Sequence, residues 1–193
     1  MFRSATAVGL TLLTLVVAAP VSANTITYHA FLSGLNEVPA NASPATGFAT
    51  VTFDDVLDTL VVDETFSGLI GGPAAAAHIH CCAPVGVNAI VAVGFPGFPA
   101  ATSGSYLHTF LLTDISIYTA AYVTAHGGNA AGAEAALIAA LNSGNAYVNI
   151  HNAAFPGGEI RGQLTAVPEP ATVTLLGTGI AAVLARKRRT QRR

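Results

Sequence analysis

This sequence carries little charge: only 9% of its 193 residues are charged, against 52% apolar ones. That balance excludes a disordered polyelectrolyte and leaves enough apolar material for a packed core. Basic residues are scarcer still in the body of the chain. Between residues 24 and 166, Arg161 is the one base against nine carboxylates, a net charge of −8. Such a body repels phosphate backbones, which excludes nucleic acid as a partner. Several catalytic signatures are missing as well. There is no Gly-x-Ser-x-Gly elbow, no His-Glu-x-x-His and no phosphate loop, so the expectation is a protein that is not an enzyme.

The other bases lie at the two ends. Met1-Phe2-Arg3 forms a short positive region, Ala7 to Ala19 is apolar, and Val21-Ser22-Ala23 carries the small residues that a signal peptidase reads. Residues 1–23 are therefore expected to be a signal peptide cleaved after Ala23. At the other end, Val167-Pro168-Glu169-Pro170 precedes fifteen uncharged residues, Ala171 to Ala185, and then Arg186-Lys187-Arg188-Arg189. As a helix those fifteen would span about 22 Å, short of the ~30 Å hydrocarbon core. The cations behind them obey the positive-inside rule, so the tail stays cytoplasmic while the exported body lies outside. This order of motif, short apolar helix and arginine cluster resembles the PEP-CTERM sorting signal of Gram-negative bacteria. The resemblance implies a transient inner-membrane anchor over 167–193, processing by an exosortase-type protease, and delivery to the cell surface or exopolymer. A plain single-span anchor is the alternative.

Residues 24–166 read as one all-β domain. Ile26, Tyr28, Ala30 and Leu32 alternate with Thr27, His29 and Phe31, and Ala49, Val51 and Phe53 with Phe48, Thr50 and Thr52. Further strands are expected at Thr59 to Phe66, Ala75 to His80, Ile90 to Val93, Ser105 to Leu112, Ala146 to His151 and Glu159 to Leu164. One short helix is expected over Ala131 to Leu141, stopped at Gly144. The pattern suggests an antiparallel sandwich or barrel.

Five motifs then occur in order: Leu32-Ser33-Gly34-Leu35-Asn36-Glu37-Val38-Pro39, Pro44-Ala45-Thr46-Gly47, Phe66-Ser67-Gly68-Leu69, Ala77-His78-Ile79-His80, and Tyr147 to His151 followed by Pro156 to Leu164. Together they resemble the CHRD domain, named for chordin and common in bacterial exported proteins. The resemblance implies an extracellular Ig-like sandwich of poorly defined activity. Cys81-Cys82 departs from the family, where a Gly-Pro pair commonly follows the second histidine.

The chemistry-bearing residues are few. On a strand, His78 and His80 share a face and could reach one Cu or Zn ion, with His151 at the end of another strand as a third ligand. Hydrogen bonding of these imidazoles to carbonyls is the favoured alternative. For Cys81 and Cys82 a ring disulfide, a metal thiolate and inert or intermolecularly oxidised thiols stay open, the last preferred because a bridge between neighbours closes a strained ring. Arg161 is read as the centre of a structural ion pair with Glu159, which shares its strand face, and with Glu37. Asp54, Asp55, Asp58, Asp63 and Glu64 read as a solvated acidic surface. The function expected is an exported binding or structural module, with an exopolysaccharide or another surface protein as partner. The alternative is a metal-dependent redox or hydrolytic enzyme built on the three histidines.

Overall fold

A computed structural model of the chain describes residues 25–168 and 178–180. Nine antiparallel strands form one sheet: β1 (Thr25–Ser33), β2 (Thr46–Asp54), β3 (Thr59–Ser67), β4 (Ala76–Cys81), β5 (Ile90–Gly94), β6 (Gly104–Leu111), β7 (Ala146–His151), β8 (Ile160–Gln163) and β9 (Thr165–Ala166). Their order is β5-β4-β7-β8-β1-β2-β3-β6, with β9 also on β1. The sheet curls into a half-barrel. Its corner is the β8–β1 junction, where only Ser33 and Arg161 pair and fully buried Leu164 separates β8 from β9.

Period-two alternation decides which face is core. Tyr28, Ala30 and Leu32 of β1, Val51 of β2, Leu60 and Val62 of β3, Ile79 of β4 and Val148 and Ile150 of β7 point inward, while Phe31 stands 75% exposed on the other face. The eight expected strands are found in place, the last of them as β8, and the two-residue β9 is an addition the sequence expectation did not contain. The helical content is larger than expected. Besides α2 (Ala130–Ser143), which covers the predicted segment, α1 (Ala120–Ala125) forms, nucleated by Thr119, whose hydroxyl accepts from Tyr122 N–H at 3.3 Å. Gly144 ends α2 in the left-handed conformation at φ 69°, as its position implied. Leu137 and Leu141 of α2 and Tyr122 of α1 close the half-barrel's interior.

The signal peptide with its Ala23 cleavage site, and Glu169 and Pro170 of the sorting motif, lie outside the described residues. Val167 docks on β1 through its N–H to Thr27 O at 2.8 Å, and residues 178–180 are helical. Among the described residues no helix is long and apolar enough to cross a membrane.

Candidate metal centre

The outer faces of β4, β7 and β8 carry polar residues where an exposed sheet would meet water, yet much of this layer is buried. Antiparallel register places His78 opposite Asn149, His80 opposite Tyr147, and Asn149 opposite Arg161. His151, opposite Ala76, lies diagonal to His78 on the same face. A bulge opposite Ile79 and His80, where β5 skips Ala92, adjusts the strand at the histidine pair. The loop following β4 folds over the layer, and the turns at 37–41 and 152–158 flank it.

Three imidazoles converge. Ring centroids are 4.9 Å apart for His78 and His151, 5.6 Å for His78 and His80, and 6.0 Å for His80 and His151. One nitrogen of each lies within 4.8 Å of the others. His78 Nδ1, His80 Nε2 and His151 Nε2 are all buried and make no hydrogen bond. The opposite nitrogens of two rings are engaged: His80 Nδ1 sits 2.9 Å from Ala89 O, and His151 Nδ1 3.0 Å from Pro156 O. A carbonyl can only accept, so both Nδ1 atoms carry the proton and both Nε2 atoms present lone pairs to the common point. The carbonyl bonds engage His80 and His151 through Nδ1 and leave the other nitrogen of each ring unengaged, an arrangement by which metal-binding histidines are commonly oriented.

Burial keeps the rings neutral. Desolvation, reinforced by His151 and His80, pulls His78 down to about 4. Desolvation also draws His80 to about 4 against the Ala89 hydrogen bond, and lowers His151 with help from the Arg161 charge. The Nε2 lone pairs of His80 and His151 therefore remain available at neutral pH.

Around the imidazoles lies a supporting ring of polar contacts. Tyr147 stacks on His80 at 4.7 Å and accepts from Ala89 N–H at 3.1 Å. The Arg161 guanidinium lies 3.6 Å from the Tyr147 ring centre. Arg161 Nε is 3.5 Å from Glu37 Oε2, and its Nη2 donates to Asn88 Oδ1 at 2.6 Å. Burial raises the Glu37 carboxyl, while Arg161, the Asn149 amide and the Val38 N–H pull the other way. Asn149 sits between Glu37 and His80 with Oδ1 unsatisfied. A cleft of about 730 Å³, lined by residues of β5, β6 and the segment after β6, has His78 in its wall.

Three expectations are corrected. Glu159 is not a partner of Arg161, because β8 begins at Ile160 and the Glu159 carboxylate turns to Ser43 Oγ at 2.6 Å, Ile70 N–H at 2.8 Å, Gly71 N–H at 3.3 Å and Asn152 Nδ2. Those donors outweigh burial and hold its carboxyl below the usual range. Cys81 and Cys82 are joined to each other as a disulfide rather than standing as inert thiols. Their sulfurs face Tyr122 OH and Ala136 O, on the helix side of the sheet and away from the His80 ring. Glu64 is not part of an acidic surface; it shares the inward face of β3 with Leu60, Val62 and Phe66 and is fully buried. Asn149, Tyr147 and Asn88 were missed by sequence reasoning, although the alternation Tyr147, Asn149, His151 marks the first two as facing the same way as His151.

Fold and site together define an antiparallel half-barrel with a buried polar layer and three converging imidazoles. The chain belongs to the CHRD domain family, which matches residues 28–164, and carries the PEP-CTERM protein-sorting motif over residues 166–189. That motif marks it as a bacterial protein exported and sorted to the envelope or surface by an exosortase-type system. No curated protein and no solved structure matches it.

Proposed function

We propose that the CHRD domain of this exported protein is a transition-metal-binding module, working at the surface or in the exopolymer of a Gram-negative cell after a transient inner-membrane stage. The observation that carries this reading is the convergence of three imidazoles, one nitrogen of each within 4.8 Å of the others, with a buried, unpartnered nitrogen on every ring and two of the rings fixed from behind through Nδ1. Leaving such groups empty-handed costs about 1–3 kcal/mol each, so their retention together favours a shared ligand over three independent accidents. The domain is read as holding its ion, because the unpartnered nitrogen of each of the three rings is shielded from solvent. A second reading, contact with an exopolysaccharide or surface protein, is favoured by Phe31, Leu35 and Val85, each at least 75% exposed beside a cleft of about 460 Å³.

Calorimetric titration of Zn(II) and copper into the purified protein tests the metal reading. A single ion should bind, and the His78→Ala, His80→Ala double variant should lose it while keeping the same far-UV circular dichroism. Equal binding by both proteins would remove the site.

A further inference from the structure

We propose that the three-histidine centre is a cuprous site, holding Cu(I) in three-coordinate geometry in preference to Zn(II) or Cu(II). This rests on the metal-binding reading and adds the identity of the ion.

Charge favours a monocation here. His78, His80 and His151 are neutral ligands, and among the described residues no carboxylate or thiolate joins them. The nearest charges, Arg161 and Glu37, face each other at 3.5 Å and so leave nothing over to compensate a cation. Desolvation cost grows with the square of the charge, so a dication suffers about four times the penalty of a monocation of equal size in this layer. Asn149 Oδ1, the further unsatisfied oxygen beside His80, is neutral and does not change that balance.

Coordination number points the same way. Three protein nitrogens satisfy d10 Cu(I) outright, whereas Zn(II) completes its tetrahedron and Cu(II) its tetragonal set only with a further donor such as water or Asn149 Oδ1. Three metal–nitrogen bonds of about 2.0 Å place the nitrogens about 3.5 Å apart in a plane. The observed spread, within 4.8 Å, would have to contract to that value when an ion binds. The Ala89 and Pro156 carbonyls are already engaged by the ring N–H groups. The Cys81–Cys82 sulfurs point to the helices and do not compete for the ion. Tighter binding of Cu(I) than of Cu(II) then raises the copper reduction potential at this site, which keeps the ion cuprous outside the cytoplasm.

The test uses the purified full chain without oxygen and without thiols. Ascorbate keeps copper reduced, and bicinchoninate competes for Cu(I); Zn(II) and Cu(II) are titrated in parallel. The expected result is a single Cu(I) bound at least about a hundredfold more tightly than either divalent ion. X-ray absorption of the wild-type complex should then show three nitrogen neighbours and no sulfur, a readout that needs no variant to fold. Zn(II) or Cu(II) binding as tightly as Cu(I), and lost in His80→Ala, would overturn the cuprous assignment and leave the metal-binding reading standing. No binding of any of the three ions, or Cu(I) with sulfur neighbours, would overturn both.

Discussion

Glu64 carries its carboxyl into the core opposite Tyr106, and neither that carboxyl nor the Tyr106 hydroxyl has a hydrogen-bond partner. Desolvation raises the Glu64 carboxyl to about 8, and with the nearby Glu64 charge it raises the tyrosine as well. In the unfolded chain the same carboxyl ionises near 4.3, so between about pH 4 and pH 8 the folded state holds the extra proton. The sign follows: this contribution is complete at the acid end and is lost as pH rises to about 8, by at most about 1.4 kcal/mol per pH unit. Urea unfolding of the wild type and of Glu64→Gln at pH 5 and pH 8 reads this directly. The variant should gain on the wild type as pH rises, and a constant difference would mean that Glu64 is ionised and paired when folded. A single residue on the wrong side of a hydrophobic alternation was legible in Leu60, Val62, Glu64 and Phe66, but the neighbouring aspartates drew it into a surface cluster.

Arg161 acts at the level of elements, tying β8 to the turn that follows β1 and to the loop after β4. It is 3% exposed and Glu37 5%. Arg161→Ala leaves the Glu37 carboxylate buried without its cation, an expected loss of about 3–5 kcal/mol in urea unfolding. The Glu37→Gln, Arg161→Met double variant should lose clearly less, because no charge is stranded; equal losses would mean that packing on Tyr147 carries the effect. The strands themselves were legible because alternation and glycine–proline turns are local signals, and α2 because its spacing and Gly144 stop are local too. Helix α1 was not, since Ala120 to Ala125 is too short for a period and includes the strand-favouring Tyr122 and Val123. Pairing decided the rest. Glu37 meets Arg161, and His78 meets His151, across long stretches of chain, and a one-residue change of register would exchange the faces. His78, His80 and His151 could be named from spacing, whereas Tyr147, Asn149 and Asn88 entered only once β4, β7 and β8 were laid side by side.

At the scale of the molecule, the sorting motif and the folded domain make separate demands. The acidic body folds around its own core and polar layer, while the basic end is an address. In the host bacterium the mature protein should therefore have lost residues from both ends, with an intact mass below the 19.5 kDa of the full chain. A mature mass that still includes residues 186–193 would contradict exosortase-type processing. Anomalous diffraction from crystals of the copper-loaded protein, recorded at the copper absorption edge, would locate the ion in the proposed metal centre. One peak is expected, bonded to His78 Nδ1, His80 Nε2 and His151 Nε2. Copper found only elsewhere, or no ordered peak among the three rings, would contradict it.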